Sequence, residues 1–220
     1  MSTQIYDSFY YDKRKKVWKK DNIQNGLPPK PSAKIVEYWK NEWNKTSGYP
    51  EQEQALEKLF KKLLPKNKEL DDVLIKVCTL NDFYSTNIYK VLFVAKEIIS
   101  MNIDDIFENK EANPSAVDNL NKMVFESTNR HIYSFATKYF SHHRPDIYPI
   151  YDSYVDKLLR YYRDEYNFFE FKDSDLLNYE GFYEVYLNFK HFFGLSNFTA
   201  KEIDKFLWQA GKYHFPKYKE

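Results

Sequence analysis

Glycine is scarce in this chain, and its scarcity narrows the folds that the chain can adopt. Five glycines occur in 220 residues, whereas β-sandwiches and doubly wound sheets need many tight turns, which glycine makes at low cost. Apolar residues recur instead with helical spacing along most of the sequence. We therefore predict an all-α, or mostly α, fold of about nine or ten helices.

Residues with capping chemistry mark the ends of several predicted helices. Ser32 and Asn113 each precede an apolar stripe, and Thr199 with Glu202 forms a capping box ahead of the last stripe. Gly211 follows that stripe and is the predicted end of the last helix.

Charge, cysteine content and hydropathy limit the class of protein. The formal net charge is +1, so an anionic partner must be met by a local patch. Cys78 is the single cysteine, which excludes an intramolecular disulfide, and its apolar neighbours predict that it is buried. No stretch approaches the roughly 18 apolar residues of a membrane span, and charges stand where a secretory signal needs an apolar core. We expect a soluble, cytoplasmic protein.

The first thirty residues differ in character from the rest. The run "DKRKKVWKK" places six basic residues in nine positions, and "NGLPPKPS" is typical of a linker. We therefore predict a basic N-terminal arm and linker over residues 1–30, followed by one helical domain over residues 31–220. The basic run is either solvated or in contact with phosphate.

The segment "HHRPDIYPIYDSYV" leads into a predicted helix at Asp152. Pro145 and Pro149 stiffen the approach and remove backbone donors. Asp152 then falls at the N-cap, where backbone N–H groups and the helix dipole favour a carboxylate. A plain cap explains the residue fully, and a charge presented to a ligand is the alternative.

Two further groups of residues bear on chemistry. Ser134 and Lys138 lie one turn apart on a predicted helix, and a return loop would bring Lys138 near Asp152. Lys138 is then an amine nucleophile, a phosphate ligand or an exposed structural lysine. The neighbouring His142 and His143 do not share a helix face, so we predict no metal site.

The segment "RPDIYPIYDSYV" resembles the Pro-Val-Asp-Thr-His-Val segment of helix-hairpin-helix DNA glycosylases, with "DSYV" at its Asp-Thr-His-Val part. The resemblance extends to "TLNDFYSTNIYKVLFVAKEI" and "KEIDKFLWQAGK" and covers residues from about 50 to 213, with bacterial proteins of the 8-oxoguanine-glycosylase fold as the nearest kin. It implies a two-lobed helical fold with a cleft between the lobes and Asp152 at the cleft floor.

The resemblance also implies an activity. Such enzymes flip a damaged or modified base out of double-stranded DNA and cut its N-glycosidic bond, and the carboxylate stabilises the charge that develops on the sugar. We expect catalytic roles for Asp152 and Lys138, water as the nucleophile, no metal or other cofactor, and a nucleoid-associated monomer. The activity would serve DNA repair or defence against modified phage DNA.

Other site residues follow from the same resemblance. The residues expected to contact DNA are Asn81, Tyr84, Arg130, His131 and Ser134. Those expected to line the base pocket are Tyr151, Tyr154, Trp208 and Gln209. The chain departs from the family where the hairpin "ESTNRHIYS" contains no glycine, and where Ser134 stands at the position of the lyase lysine.

These departures keep two other functions open. One is a catalytically inactive DNA-binding or host-defence module of the same fold. The other is a helical protein–protein adaptor, in which Asp152 is a cap and nothing more.

Overall fold

Helices form most of the chain, which confirms the predicted all-α class. In the computed structural model, which describes residues 6–12, 17–23 and 25–216, the α-helices run in the following order: α1 Ala33–Trp43, α2 Tyr49–Lys58, α3 Leu70–Tyr84, α4 Val91–Ser100, α5 Ile103–Phe107, α6 Pro114–Thr128, α7 Tyr133–His143, α8 Ser153–Tyr166, α9 Tyr179–Phe192 and α10 Ala200–His214. A π-helical turn, Leu59–Leu63, continues α2, and a 3₁₀ turn, Asp173–Leu177, precedes α9.

A two-stranded hairpin precedes the helices, and the sequence analysis did not predict it. Strand β1, Tyr6–Asp12, pairs antiparallel with β2, Val17–Ile23. Strand β1 reads "YDSFYYD", and the tyrosines and phenylalanine in it are residues that strands favour. Four of the six basic residues of the predicted arm occupy positions 13–16, so that part of the prediction lies outside the described residues.

The segment predicted as a linker is held against the helical body. His214 Nδ1 lies 2.8 Å from the carbonyl oxygen of Gly26. The Tyr162 hydroxyl donates to the carbonyl of Pro29 at 3.2 Å. Residues 25–32 are therefore part of the packed structure and are tied to α8 and α10.

The predicted caps are confirmed at α1, α6, α8 and α10, but the predicted end of α10 is wrong. The helix continues through Gly211 to His214. A Cβ at Gly211 would lie 2.7 Å from Tyr154 Cβ and 2.8 Å from the Tyr154 carbonyl oxygen. The glycine is thus needed for the close crossing of α8 and α10 and does not end the helix.

Helix α3 turns an unexpected set of residues inward. Val73, Lys76, Val77 and Leu80 are buried, in the i, i+3, i+4, i+7 pattern of one helix face. Cys78 does not lie on that face and is exposed, so the prediction that it is buried was wrong. Because most residues of "VLIKVCTL" are apolar, the sequence does not show which side of the helix faces the core.

Helix α7 lies at the centre of the helical body. Its residues from 135 to 143 are all buried, including polar ones. Helices α3 and α6 and the π-helical turn pack on it, while α10 packs on α1 and α8. Because α7 has almost no solvent face, its polar side chains are enclosed by neighbouring elements, and several of them line the candidate site.

Candidate active site

The segment between α7 and α8 is fixed at nearly every residue. The backbone N–H of Ile150 donates to both carboxylate oxygens of Asp204, at 3.1 and 3.0 Å. The Tyr179 hydroxyl donates to the carbonyl of Pro149 at 2.8 Å. These contacts, with the two prolines, hold the approach to α8 in a single path.

Asp152 ends this segment as the N-cap of α8. Its Oδ1 accepts from the backbone N–H groups of Tyr154 at 2.8 Å and of Val155 at 3.0 Å. Its Oδ2 accepts no hydrogen bond from the described residues, none of whose cations lies within ion-pair distance of the carboxylate. The residue is partly exposed. One oxygen is thus fixed by the helix, while the other has no hydrogen-bond partner among the described residues.

Helix α7 contacts Tyr151, the residue that precedes Asp152. The Ser134 hydroxyl donates to the carbonyl of Tyr151 at 3.2 Å. The backbone N–H of Tyr151 donates to Thr137 Oγ1 at 3.2 Å. The first turns of α7 therefore lie directly beside the start of α8.

Lys138 folds back along α7 toward the helix N-terminus, as helical side chains tend to do. Its Nζ lies 2.5 Å from Ser134 Oγ and 3.1 Å from the Ser134 carbonyl oxygen. The amine also lies 5.3 Å from the ring centroid of Tyr84, and 5% of the residue is exposed. A lysine one turn later in sequence thus places its amine at the level of position 134.

Tyr84 and His142 form the inner wall behind this amine. The Tyr84 hydroxyl lies 3.0 Å from His142 Nε2. Burial raises the pKa of Tyr84. Burial, together with the charges of Lys201 and Lys138, lowers the pKa of His142 well below its usual value. Both side chains are therefore neutral at pH 7.

Asp204 is the second carboxylate of the site, and the sequence analysis missed it. Burial raises its pKa well above that of an ordinary Asp, and the charge of Asp152 raises it further. The influence of Asp152 means that the two carboxylates lie within electrostatic reach of each other. A signal was present in the sequence, because Asp204 falls on the apolar stripe of α10 between Ala200 and Leu207.

A lysine–glutamate group joins α2 to α10 next to Asp204. Glu53 lies 3.1 Å from Lys201 Nζ and 2.8 Å from Lys205 Nζ. Burial alone would raise the pKa of Glu53, but the two lysines outweigh it and lower the pKa. The spacing of Glu53 gave no sign of this contact, since its partners are far away in sequence.

Asn81 and Tyr84, both expected to contact DNA, lie near the end of α3 in different surroundings. Asn81 Oδ1 accepts from the Thr86 hydroxyl at 2.8 Å and from the Ile88 N–H at 2.9 Å. Its side chain therefore shapes the loop from within. Tyr84 instead joins the group around Lys138.

Arg130 and His131 lie on the exposed loop between α6 and α7. The loop turns at Asn129, which ends α6 in the left-handed conformation at φ +54°. The Arg130 guanidinium lies over the ring of Tyr89, 5.0 Å from its centroid. His131 stacks on Phe125, with ring centroids 4.2 Å apart.

The four predicted base-pocket residues do not share one surface. The Tyr154 and Trp208 rings meet edge to face at 6.3 Å. Tyr151 instead packs on Phe182 of α9, with ring centroids 5.1 Å apart, and its hydroxyl donates to Asp156 of α8 at 2.6 Å. Gln209 is buried and donates to the carbonyl of Trp39 at 2.7 Å.

Two aromatic residues that the sequence analysis did not select extend the Tyr154–Trp208 contact. The Trp43 ring lies 5.7 Å from Trp208, and the Tyr49 ring lies 4.8 Å from it. Lys205 and Lys212 place their ammonium groups over this aromatic cluster. The cluster reaches the first turn of α8 through Tyr154.

Neither a metal-ligating cluster nor a membrane-spanning helix occurs among the described residues. No group of three His, Cys, Asp or Glu side chains there is placed to hold a metal ion. Within the same part of the chain, no helix has the length and apolar character needed to cross a membrane.

Comparison with known proteins places the chain in a family. The HI_0787_N family, described as an N-terminal domain, matches residues 34–147, from α1 to the segment before Asp152. An "Uncharacterized protein" of Haemophilus influenzae (strain ATCC 51907 / DSM 11121 / KW20 / Rd) is 40% identical over 151 residues, which span 68% of this chain and 71% of that protein. No solved structure matches the chain. The chain belongs to the HI_0787_N family.

Proposed function

We propose that this protein is a DNA N-glycosylase that removes a damaged or modified base without a metal or organic cofactor. The observation that carries the proposal is the geometry of Asp152. Two backbone N–H groups fix one carboxylate oxygen, while the other accepts nothing from the described residues and the side chain is partly exposed. A fixed anion of this kind stabilises a positive charge that develops in front of it.

In the proposed reaction, the target base leaves the duplex and its sugar C1′ comes to face Asp152. The base departs with the bonding electrons, and the carboxylate stabilises the cationic sugar. Water adds its oxygen to C1′, and the proton that water loses passes through Asp152 to the departed base. The products are a free base and an abasic site.

The surroundings of Lys138 support water, rather than an amine, as the nucleophile. The amine is almost fully buried and donates to two oxygens of Ser134. Ser134 in turn donates to Tyr151, next to Asp152. Lys138 is therefore proposed to hold the first turn of α7 against Asp152 and to add positive charge behind it.

The proposal places DNA across the N-terminal end of α7, in a cleft between two helical lobes. Support comes from the loop over residues 129–132, which turns at the left-handed Asn129 and presents exposed residues next to that end of α7. Arg130 is exposed on this loop and is suited to a phosphate contact.

The test uses duplexes that carry oxidised, alkylated, deaminated or hypermodified bases, each followed by hot alkali. Asp152→Asn keeps the cap, because asparagine also caps helices, but removes the charge. We expect it to lower the formation of alkali-labile sites at least about 100-fold.

Asp118→Asn is the matched control. Asp118 also accepts hydrogen bonds from backbone N–H groups at a helix start, from Tyr179 at 2.7 Å and Glu180 at 3.0 Å. The substitution is expected to leave activity unchanged. Equal activity of Asp152→Asn and the unaltered protein on a cleaved substrate would refute the proposal. Trapping of DNA on Lys138 by borohydride would refute water as the nucleophile.

A second candidate function is an inactive DNA-binding module of the same fold. The loop "ESTNRHIYS" favours it, because it lacks the glycines with which the hairpin of the resembled glycosylases binds a DNA phosphate. Duplex binding without alkali-labile sites on any substrate of the panel would support this function over the first.

A further inference from the structure

Asp204 is the one carboxylate that is buried among the described residues, with 6% of its surface exposed. It lies on the side of α10 that faces the core. Burying a carboxyl group is costly, and burial raises its pKa well above the usual value even though the charge of Lys201 lowers it. An apolar residue would suit this position better, so the acid must be explained by what it binds.

Both oxygens of Asp204 are directed at a single donor. They lie 3.1 and 3.0 Å from the backbone nitrogen of Ile150, and no other group in the described part of the chain donates to them. Ile150 follows Pro149, which has no N–H of its own. Asp204 therefore serves one backbone group, at the point where the proline-stiffened segment ends.

Helix α10 also binds the beginning of that segment. The backbone N–H of Lys201 donates to the carbonyl of Pro145 at 2.9 Å, and that of Ala200 donates to the carbonyl of Asp146 at 3.1 Å. Asp204 lies one turn further along the helix. The first two turns of α10 thus hold the segment at both ends, over residues 145–150.

The end held by Asp204 leads directly into Asp152. Ile150 precedes Asp152 by two residues, and Tyr151 between them is bonded to Thr137 and Ser134 of α7. The approach to Asp152 is therefore fixed from two sides, by α7 at Tyr151 and by α10 at Ile150. The bond from α10 depends on the side chain of Asp204.

We propose that Asp204 is a positioning residue, which fixes the path of the chain at Ile150 and thereby holds the carboxylate of Asp152 in place at the start of α8. This inference rests on the proposed glycosylase activity, in which Asp152 must meet the sugar. It gives the buried acid of α10 a role that is exerted through another residue.

The test compares Asp204→Leu with Asp204→Asn. Leucine is similar in shape to aspartate and suits an apolar stripe, but it accepts no hydrogen bond. Asparagine keeps an oxygen that can accept from the Ile150 N–H. The two variants therefore separate the loss of the acceptor from the loss of the charge.

The first measurement is amide hydrogen exchange by NMR at Tyr154 and Val155, whose N–H groups donate to Asp152. Phe140 in the buried helix α7 is the internal reference, so that changes in global stability cancel. We expect Asp204→Leu to speed exchange at Tyr154 and Val155 about tenfold relative to Phe140, and Asp204→Asn to leave it unchanged.

Glu202→Leu is the matched control. Glu202 lies on the same helix and accepts from the backbone N–H of Thr199 at 2.8 Å, so its loss removes an acceptor from α10 without touching Ile150. Exchange at Tyr154 and Val155 should stay unaltered in this variant. Unchanged exchange in Asp204→Leu, or an equal rise in Asp204→Asn or Glu202→Leu, would overturn the positioning role.

The second measurement is base release from a duplex that the protein cleaves. Asp204→Leu should lower kcat about tenfold with little change in KM, because displacing Asp152 affects the reaction more than the binding of DNA. Asp204→Asn should retain kcat. If Asp204 only stabilised the fold, kcat of the folded Asp204→Leu variant would equal that of the unaltered protein.

The failure of this inference differs from failure of the proposed function. Undiminished base release by Asp204→Leu would overturn the positioning role and leave the glycosylase intact. Absence of base release by the unaltered protein from every duplex would overturn the glycosylase, whereas exchange at Tyr154 and Val155 decides the positioning role without any substrate.

Discussion

Lys76 shows at the scale of one residue how a buried charge is accommodated. It is fully buried, and its Nζ donates to the carbonyls of Leu64 and Lys66 and to Asn67 Oδ1. These oxygens include carbonyls at the end of the π-helical turn that the helix itself leaves unpaired. Burial lowers the pKa of Lys76 from 10.5 to about 8.

This shift predicts a pH dependence of stability. Below pH 8 both folded and unfolded chains hold the proton, so the full cost of burying the cation is present. Between about pH 8 and 10.5 the unfolded chain binds more protons than the folded one, and stability therefore rises with pH. The increase in the free energy of unfolding approaches about 3 kcal/mol near pH 10.5.

Lys76→Met isolates this contribution. The difference in unfolding free energy between the unaltered protein and the variant should shift in favour of the unaltered protein from pH 8 to 9.5, measured by urea denaturation. Ionisation of tyrosines in the unfolded chain affects both proteins alike and cancels in the difference. A difference that stays constant with pH would contradict the low pKa.

The roles of some single residues could be predicted from the sequence, and the roles of others could not. The cap at Asp152 was predictable, because capping depends on the residues that follow it directly. Asp204 was not recognised as a site residue, although its position on an apolar stripe marked it as unusual. Glu53 gave no signal at all, because its contacts with Lys201 and Lys205 exist only once α2 meets α10.

At the scale of elements, the crossing of α8 and α10 is set by Gly211. In an isolated helix, Gly→Ala is stabilising by about 1 kcal/mol. Here we expect Gly211→Ala to destabilise the protein by about 1–3 kcal/mol, because the new Cβ would overlap the Tyr154 backbone at 2.8 Å. Chemical denaturation measures the sign directly, and a stabilised variant would contradict the close crossing.

Helix starts were predicted well, because a cap bonds N–H groups within the next few residues. The end of α10 and the β1–β2 hairpin were not predicted, because they depend on contacts between different segments. Ser32, Asn113 and Thr199 each bond the N–H groups that follow them. The continuation of α10 through Gly211 depends on a second helix. The pairing of β1 with β2 joins aromatic and basic stretches that looked like a charged arm.

At the scale of the whole molecule, a net charge of +1 implies that the proposed binding to DNA must come from local cations. Replacing the four basic residues at positions 13–16 with glutamine should weaken duplex binding and flatten its dependence on salt. Each phosphate contact that is lost reduces the slope of log K against log salt by about 0.9. Base preference should not change.

Filter binding over a range of salt concentrations measures the slope. An unchanged slope would show that the basic run keeps the protein soluble and does not touch DNA.

The all-α class was predictable at this scale from glycine scarcity and periodicity, whereas the meeting of α2, α7, α8 and α10 at one site was not. Family membership rests partly on a match to residues 34–147, which contains Lys138 but stops short of Asp152.

The burial of α7 also has a consequence for motion. A helix enclosed from Phe135 to His143 has no route to exchange its amide hydrogens except through opening of the entire helical body. Its amides should therefore be the slowest to take up deuterium. Lys138 then belongs to the least mobile part of the protein, and in the proposed complex DNA would have to adapt to it.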